Sequence, residues 1–395
     1  MARRIIGVAL GALLLSSAAI AQEVAVTPLA APDHFSTAGR ETGLGPDLWR
    51  GTSPGIARAV IVLLATKPLS PAGRGLASRV LATGATGPEG VGQDAGLAGA
   101  RVSALLAQGA VAEASAILDR SSGLDRSPEL ARAAAEAALL ANAPDRACTI
   151  AAQLATGRDD IYWLRLRAYC QQQAGEAGAA QLTFDLAQSQ ARDAAYGRLM
   201  GVKLAGGGNP GPASLRNGLD YTLSRDLSLD LSQAKASPAV AAALERGLAV
   251  TTAPDDPVLA DAVSLVKSGQ PDAATLARLT DRAAAADGKA RPKAQNAALI
   301  FAALGSPADA KARGELATYT GAEAKASPSR MLALDLAADR KLVGETALLA
   351  LWLSADAGAA GLPTGDRVRI IRALKAVGLD EDARAYAAEG LAAQR

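Results

Sequence analysis

Apolar residues recur along much of this chain at the three- and four-residue spacing of an amphipathic helix. Val368, Ile371, Leu374 and Val377 follow the i, i+3 spacing and predict one apolar helix face. Residues 56–65 predict a short, strongly apolar helix. Gly and Pro mainly separate such segments, and no run of β-branched and aromatic residues indicates a sheet. The pattern therefore predicts an all-α protein.

Within this pattern, a small turn residue is repeatedly followed five positions later by alanine. The six pairs are Gly109 and Ala114, Asn142 and Ala147, Gly175 and Ala180, Gly269 and Ala274, Gly305 and Ala310, and Gly378 and Ala383. The first three turns lie 33 residues apart, and the fourth and fifth lie 36 residues apart. A period of this length is typical of repeat architectures.

This spacing predicts helical hairpins. Gly and Asn tolerate the left-handed conformation in which many helices end, so each turn residue is expected at the end of a first helix. Two or three polar or proline residues follow, and the alanine then lets the second helix approach the first closely. Four copies also place alanine seven residues before the turn, at Ala135, Ala168, Ala262 and Ala298. We expect stacked antiparallel hairpins, an α-solenoid, whose concave grooves bind partners.

Two segments, Asp382–Tyr386 and Glu113–Leu118, resemble the second helix of the tetratricopeptide repeat (TPR), whose period is about 34 residues. The resemblance implies a TPR-like α-solenoid that binds other proteins. The chain differs from the family pattern in two ways. Most aromatic positions of the first helix are missing, and the proline near the end of each copy is irregular.

Composition divides the chain into segments. Residues 22–55 are rich in Pro, Gly, Ser and Thr and predict an extended or disordered lead-in, in which Trp49 is expected to pack as local core. Residues 201–213 are rich in Gly and Pro and predict a hinge. We therefore expect an N-terminal helical array at 56–200 and a C-terminal helical array at 214–395.

Residues 1–21 have the form of a cleavable signal peptide. Arg3 and Arg4 precede an apolar run and a small-residue box, which places cleavage between Ala21 and Gln22. A membrane anchor is the alternative, but a spanning helix needs about 20 apolar residues and this run is shorter. Because Gln22 is not cysteine, no lipoprotein anchor is expected. No later segment is long and apolar enough to span a bilayer, so we expect no stable membrane insertion after cleavage.

The charge balance excludes one class of partner. The chain has 41 basic and 39 acidic residues, and loss of Arg3 and Arg4 with the signal peptide leaves 39 of each. Nucleic-acid binding depends on a basic surface that neutralises phosphates, so no nucleic-acid partner is expected. The abundance of Ala, Gly and Arg is typical of GC-rich bacteria, which makes the periplasm the expected compartment.

The two cysteines are expected on the two sides of one hairpin. Asp159 lies in the polar turn between them, 11 residues from Cys148 and from Cys170, so antiparallel helices would bring the cysteines level. An oxidising compartment favours a disulfide between such a pair. Two unpaired core thiols would also fit the sequence. There is no C-x-x-C pair, so a redox enzyme is not expected.

Two sequence patterns match known cofactor-binding or catalytic motifs, but their structural context or companion motifs are missing. The Gly-x-Gly-x-x-Gly pattern at 206–211 follows no predicted strand and is interrupted by Pro210, so we interpret it as linker. The Ser-x-x-Lys patterns at 232–235 and 264–267 lack the companion motifs of penicillin-recognising enzymes. They are expected to be neighbours on solvated helix faces.

Other candidate ligands are too few or have simpler interpretations. His34 is the only histidine and falls in the predicted disordered lead-in. One histidine and two cysteines cannot supply an ordinary zinc site, and a Ser-His-Asp triad would need a histidine in a structured segment. Asp159, Asp160, Tyr162 and Trp163 group carboxylates with aromatic rings, as carbohydrate sites do, but a helix cap and buried rings explain them more simply. The sequence therefore predicts no catalytic residue, no cofactor and no metal.

Two resemblances bear on function. The mature chain is similar to exported TPR-like proteins of the bacterial envelope, and Trp163–Ala180 resembles a segment of uncharacterised alphaproteobacterial periplasmic proteins. They imply a non-catalytic scaffold or regulator whose partners are other envelope proteins. The Ala-rich helices also resemble the helical superstructure of periplasmic lytic transglycosylases, without that family's catalytic Glu-Ser pair. The alternative is therefore an accessory domain of a peptidoglycan-acting enzyme.

Overall fold

Helices make up the regular secondary structure of this protein. The computed structural model describes residues 33–245, 256–320 and 323–394, and no strand occurs in these ranges. The predicted all-α fold of stacked helical hairpins is confirmed. The predicted signal peptide, with Ala21 and Gln22, lies outside the described residues. The nineteen helices within them are α1 (Pro54–Leu64), α2 (Pro71–Ala82), α3 (Ala95–Ala107), α4 (Val111–Arg120), α5 (Pro128–Leu140), α6 (Pro144–Gln153), α7 (Ile161–Gln173), α8 (Ala177–Gln190), α9 (Ala194–Ala205), α10 (Gly218–Asp226), α11 (Pro238–Leu244), α12 (Pro257–Ser268), α13 (Ala273–Ala285), α14 (Ala290–Ala303), α15 (Ala310–Thr318), α16 (Pro328–Asp339), α17 (Val343–Ala357), α18 (Thr364–Ala376) and α19 (Asp380–Ala392).

Proline and aspartate set the start of many of these helices. Seven of the described helices begin on proline, whose missing N–H has no partner to lose in the first turn. Aspartate side chains cap α3, α7, α9, α12, α13 and α15 by accepting a backbone N–H at the helix start. Helix boundaries are therefore fixed largely by local residues.

The six sequence-predicted turn residues all lie directly after helices and have positive φ. Their φ values are 81° at Gly109, 60° at Asn142, 79° at Gly175, 76° at Gly269, 78° at Gly305 and 81° at Gly378. At four of these turns the next helix starts two residues later, and the alanine five positions after the turn is fully buried; these alanines are Ala114, Ala147, Ala180 and Ala383.

Ala274 and Ala310 differ from the other four alanines because both are exposed. After Gly269 and Gly305 the connecting loops are longer, so α13 starts at Ala273 and α15 starts at Ala310. Each extra residue rotates the following helix by about 100° relative to the turn. The fixed offset therefore places Ala274 and Ala310 in the first turn of their helices instead of the second. The buried packing positions are Leu276 and Ala312.

The first helices of the chain pack against the last. α1 contacts α3 and α17, and α2 contacts α3, α17 and α19. Residues of both chain regions share one apolar core, for example Ile61 and Leu76 with Leu351 and Leu391. A one-dimensional solenoid would pack each hairpin only on its sequence neighbours. This chain adds long-range contacts that bring its two halves together.

Glutamates from distant helices accept hydrogen bonds from backbone N–H groups at three helix N-termini. Backbone N–H groups at a helix start lack partners within the helix, and a negative charge there is favourable. Glu345 of α17 accepts the N–H of Ser53 before α1 (2.6 Å), Glu389 of α19 accepts that of Ala72 in α2 (2.7 Å), and Glu136 of α5 accepts that of Gly218 in α10 (2.7 Å). Two of the three contacts join the first helices to the last.

The Gly/Pro-rich segment 201–213 does not separate two cores. α9 ends at Ala205, the following loop contains the motif at 206–211, and α10 then packs on α5 and α9. Residues of α5, α6, α7, α9 and α10 together form a second apolar core. All described residues belong to one compact unit. Gly and Pro end a helix locally, but they do not determine which helices pack together afterwards.

Between residues 33 and 53 the lead-in has no helix but is packed against the helices. Phe35, Leu48 and Trp49 are each at most 3% exposed. The rings of Phe35 and Trp49 meet edge-to-face with centroids 5.8 Å apart. Trp49 is thus a core residue, and this part of the lead-in is ordered because its apolar side chains and backbone groups find partners in the helical core.

Arg101 holds the lead-in in place. It lies in the middle of α3, is 1% exposed and has no carboxylate within ion-pair distance among the described residues. Its guanidinium donates to the carbonyl oxygens of Leu81 (2.7 Å), Thr83 (2.9 Å), His34 (3.0 Å) and Thr37 (3.0 Å). Burial lowers the pKa of this guanidinium to about 10. One side chain thereby satisfies backbone acceptors of two separate segments.

The predicted pair Cys148 and Cys170 forms a disulfide. It joins α6 to α7 across their connecting turn, and the two Cα atoms are 5.5 Å apart. The half-buried bridge lies at the edge of the second apolar core. It links two helices of which α6 has only two fully buried residues, Ala147 and Ala151.

Replacing Gly344 with alanine should destabilise the protein, although alanine is the better helix former. Gly344 lies in the first turn of α17, and a Cβ there would come within 2.5 Å of the Leu48 carbonyl oxygen and 2.8 Å of the Trp49 ring. Since neither the backbone nor the buried ring can yield freely, we expect a loss of about 2 kcal/mol in chemical denaturation. Gly314→Ala, in an open position of α15, is the matched control and should not destabilise. Equal effects of the two changes would contradict this account.

The stability of the α2–α19 contact should depend on pH. Arg79 of α2 donates to Asp382 of α19, and burial raises the pKa of Asp382 to about 6. Because the folded protein then binds this proton more tightly than the unfolded chain, the contribution to stability is present at low pH and lost as pH rises through about 6. Between pH 5 and 7.5 the wild type should lose on the order of 1–2 kcal/mol relative to Asp382→Asn. Urea titrations of both proteins measure this, and a pH-independent difference would contradict it.

Candidate protein-interaction surfaces

Helix α8 is attached to the protein on one side only. Among the described helices it contacts mainly α7 and α9, and only Ala180 and Ala187 along it are fully buried. Leu182 and Leu186 lie one turn apart on the opposite side and are 74% and 47% exposed. Isolated exposed apolar residues are ordinary on protein surfaces, but two on one helix face form a patch.

The residues around this patch are nearly free of charge. We call Gly178, Gln181, Leu182, Asp185, Leu186 and Ser189 the α8 face; all six are exposed. Asp185 is the only charged residue in Ala177–Gln190, and its carboxylate accepts a hydrogen bond from the Gln181 amide (3.0 Å). Depletion of charge is characteristic of the centre of protein interfaces.

A second leucine pair lies on α16. Leu332 and Leu336 are 57% and 53% exposed, and the opposite side of the helix packs on α17 and α18. We call Leu332 and Leu336 with the exposed Ser329 and Asp339 the α16 face.

Ion pairs border the α16 face. Arg330 pairs with Asp356 of α17 and lies 4.4 Å from the centroid of the Trp352 ring. Asp335 pairs with Arg369 of α18. The leucines therefore form an apolar centre with charged groups of both signs around it. Such a rim gives a partner charges to match as well as an apolar surface to cover.

The residues at 159–163 hold helix α7 in place. Asp160 caps α7 by accepting the Tyr162 N–H (2.9 Å), and Trp163 is 2% exposed. The Tyr162 hydroxyl donates to Glu136 (3.0 Å), and burial raises the pKa of both groups. Because both rings are buried, they offer no face to a sugar.

The other catalytic-looking patterns occupy loops and surface turns. The motif at 206–211 forms the loop after α9, and Gly206, Gly208 and Gly211 have φ of 68°, 124° and 64°. Arg198 donates to the Pro210 carbonyl within this loop. Ser264 and Lys267 are exposed neighbours on α12, as expected, whereas the pattern at 232–235 lies in a turn and not in a helix. Pro238 starts the next helix only after this turn, which explains the difference.

A small cleft lies beside the start of α2. Its volume is about 150 Å³, and proline and alanine side chains line most of it. Arg74 and Glu245 form an ion pair of 3.1 Å at this cleft. Pockets for small-molecule ligands are usually about 300–1,000 Å³, so this cleft is small for such a ligand.

Within the described ranges no group of three His, Cys, Asp or Glu side chains is placed to hold a metal ion. No helix in those ranges is long and apolar enough to cross a membrane. Comparison of the sequence with known protein families, with curated proteins and with solved structures finds no match. The α8 and α16 faces, each with two exposed leucines one helical turn apart, are the candidate functional surfaces, and the sequence analysis identified neither of them.

Proposed function

We propose that this protein is an exported, non-catalytic scaffold or regulator that binds other proteins of a bacterial envelope assembly. The observation that carries the proposal is the α16 face, in which Leu332 and Leu336 are both more than half exposed. An apolar centre with a charged rim is the usual composition of a protein–protein contact. The helical hairpins and the disulfide are compatible with an exported binding protein.

A non-catalytic role agrees with what the motif residues do. Asp160 caps a helix, the glycine motif at 206–211 forms a loop, and His34 uses its backbone to bind Gly92 and Arg101. Each group thus has a structural role that needs no substrate. Leu332 and Leu336 of the α16 face, by contrast, are exposed and accessible to a partner.

Site-specific photocrosslinking in intact cells tests the proposal. A benzophenone amino acid at Leu336 should give discrete adducts with one or a few envelope proteins, and the additional change Leu332→Gln should reduce them about tenfold, as expected for loss of one buried leucine contact. The same label at Lys267, exposed on α12, is the matched control. No adduct at Leu336, or the same adducts from Lys267, would overturn the proposal.

Export is tested on the same cells. The protein recovered from the periplasmic fraction should begin at Gln22 when its N-terminus is determined by mass spectrometry. Recovery only from the cytoplasm, with residues 1–21 retained, would contradict the proposed location in the bacterial envelope.

A further inference from the structure

We propose that residues 33–42, here called the arm, occupy a peptide-binding groove of this protein, and that a segment of another protein binds there when the arm opens. The groove is formed by the end of α2, the loop 83–94 after it, α3 and α4. The arm contains no helix and lies across these elements. This binding site is separate from the α16 face.

The groove binds the arm mainly through the arm's backbone. Seven backbone groups of the arm have partners in the groove: the N–H groups of His34 and Gly39, and the carbonyl oxygens of His34, Phe35, Thr37, Ala38 and Thr42. The side chains of Arg79, Arg101 and Arg120 donate to four of the five oxygens. In peptide recognition, main-chain hydrogen bonds give affinity and side-chain pockets give specificity. Most of these contacts would therefore serve another segment equally well.

Two positions of the arm restrict which segment fits. Phe35 is fully buried, with the Arg101 guanidinium 5.3 Å from the centroid of its ring and Trp49 edge-to-face with it. Gly39 passes so close to α4 that a Cβ there would lie 2.9 Å from the carbonyl oxygen of Glu113. The partner segment therefore has an aromatic residue four positions before a glycine.

The arm is attached more weakly than the helices. Phe35 is its only fully buried residue. Residues 43–47, which connect the arm to the buried Leu48 and Trp49, are mostly exposed and include two glycines. Segments with few buried apolar side chains open at a lower free energy than the whole protein unfolds. The arm can therefore leave the groove while the helices stay folded.

Another protein suits the groove better than the arm of a second copy. An exchanged arm makes in the second groove only the contacts that it gave up in its own, so nothing offsets the entropy lost on association. A segment of another protein is free to make further contacts beyond either end of the groove.

Fluorescence anisotropy with a labelled synthetic peptide of residues 33–42 tests the groove. In the wild type the closed arm reduces the apparent affinity to the fraction of open molecules. Gly39→Val forces the protein's own arm out of the groove, so this variant should bind the peptide at least about tenfold more tightly than the wild type. Gly45→Val is the matched control, because a Cβ at Gly45 meets nothing within 4 Å, and it should bind like the wild type.

The same peptide with Phe35→Ala or with Gly39→Val should bind the opened protein at least about tenfold more weakly. Circular dichroism establishes that each protein variant is folded. A folded Gly39→Val protein that binds no more tightly than the wild type, or equal binding of the altered peptides, would overturn the inference.

Hydrogen exchange of the wild type is a second measurement that needs no variant. The amides of His34 and Gly39, both hydrogen-bonded to the groove, should exchange through local opening and faster than the amides of α3. Exchange of these amides only on global unfolding would contradict a detachable arm. Dimers formed by arm exchange in sedimentation equilibrium would contradict another protein as the occupant. The α16 crosslinks test the proposed scaffold function independently of all these outcomes.

Discussion

Replacing Arg101 with methionine should lower the free energy of unfolding by about 4 kcal/mol. The change leaves four carbonyl oxygens without their donor. Those of Leu81 and Thr83 are buried and cost about 1–3 kcal/mol each, and those of His34 and Thr37 are partly buried and cost less. Because methionine fills much of the same volume as arginine, the decrease in the free energy of unfolding reflects the lost hydrogen bonds and charge more than lost packing. Urea denaturation followed by tryptophan fluorescence measures it, and Trp49 in the lead-in is one of three tryptophans in the chain.

A local measurement separates this effect from general destabilisation. Arg40 and Arg50 are exposed sites for trypsin within the lead-in. In Arg101→Met they should be cleaved before sites in the helical core, because residues 33–37 have lost their attachment to α3. Arg58→Met is the matched control: Arg58 is half exposed and pairs with Asp94 at 3.3 Å, so its loss should cost less than about 1 kcal/mol. Similar losses in the two variants would contradict the role of Arg101.

Removing the disulfide should be the second large effect. Cys148 and Cys170 are 22 residues apart, and closing a loop of this length restricts the unfolded chain by about 3 kcal/mol. The double variant Cys148→Ser/Cys170→Ser should lose about that much stability in urea denaturation. Reducing agent should lower the stability of the wild type by a similar amount and leave the double variant unchanged.

A thiol count provides an independent measurement. Purified mature protein, unfolded without reductant, should give no free thiol, since both cysteines of the chain are paired. Two free thiols per chain would contradict the disulfide. The inference that the protein is located in an oxidising compartment would then lose its support from the disulfide.

Local features of the fold could be predicted from the sequence because local residues determine them. Gly109, Asn142, Gly175 and Gly378 mark turns by their tolerance of positive φ, and a two-residue connection then fixes which alanine faces inward. Cys148 and Cys170 could be paired because equal distances from a turn bring two positions level. The same reasoning failed at Ala274 and Ala310, where loop length changed. Asp272 and Asp309, which cap α13 and α15, were the available signal for the later helix starts.

Long-range features could not be predicted in this way. Glu345 and Glu389 cap helices about 290 and 320 residues earlier in the chain, and nothing local to a glutamate specifies such a partner. Arg101 left a clearer signal, because it is the only charged residue in the otherwise small and apolar helix α3. A lone arginine at that place indicates either a burial site with several acceptors or a surface contact.

The candidate surfaces could partly have been predicted from the sequence. Once Ala180 and Ala187 are assigned to the buried side of α8, helical periodicity places Leu182 and Leu186 on the other side. The same argument applies to Leu332 and Leu336, with Leu334 and Ala338 buried on α16. Helical periodicity does not show whether another helix of the chain covers those leucines, because this depends on how all the helices pack together.

The contact between the first and last helices has a consequence for how the chain is made. A ribosome or a translocon releases α1 and α2 long before α17 and α19, whose glutamates complete their N-termini and whose side chains share their core. Early helices of this protein must therefore remain incompletely packed until synthesis is nearly finished. Packing of the first helices is therefore completed only at the end of synthesis, whereas all residues of the second apolar core have been made by residue 223.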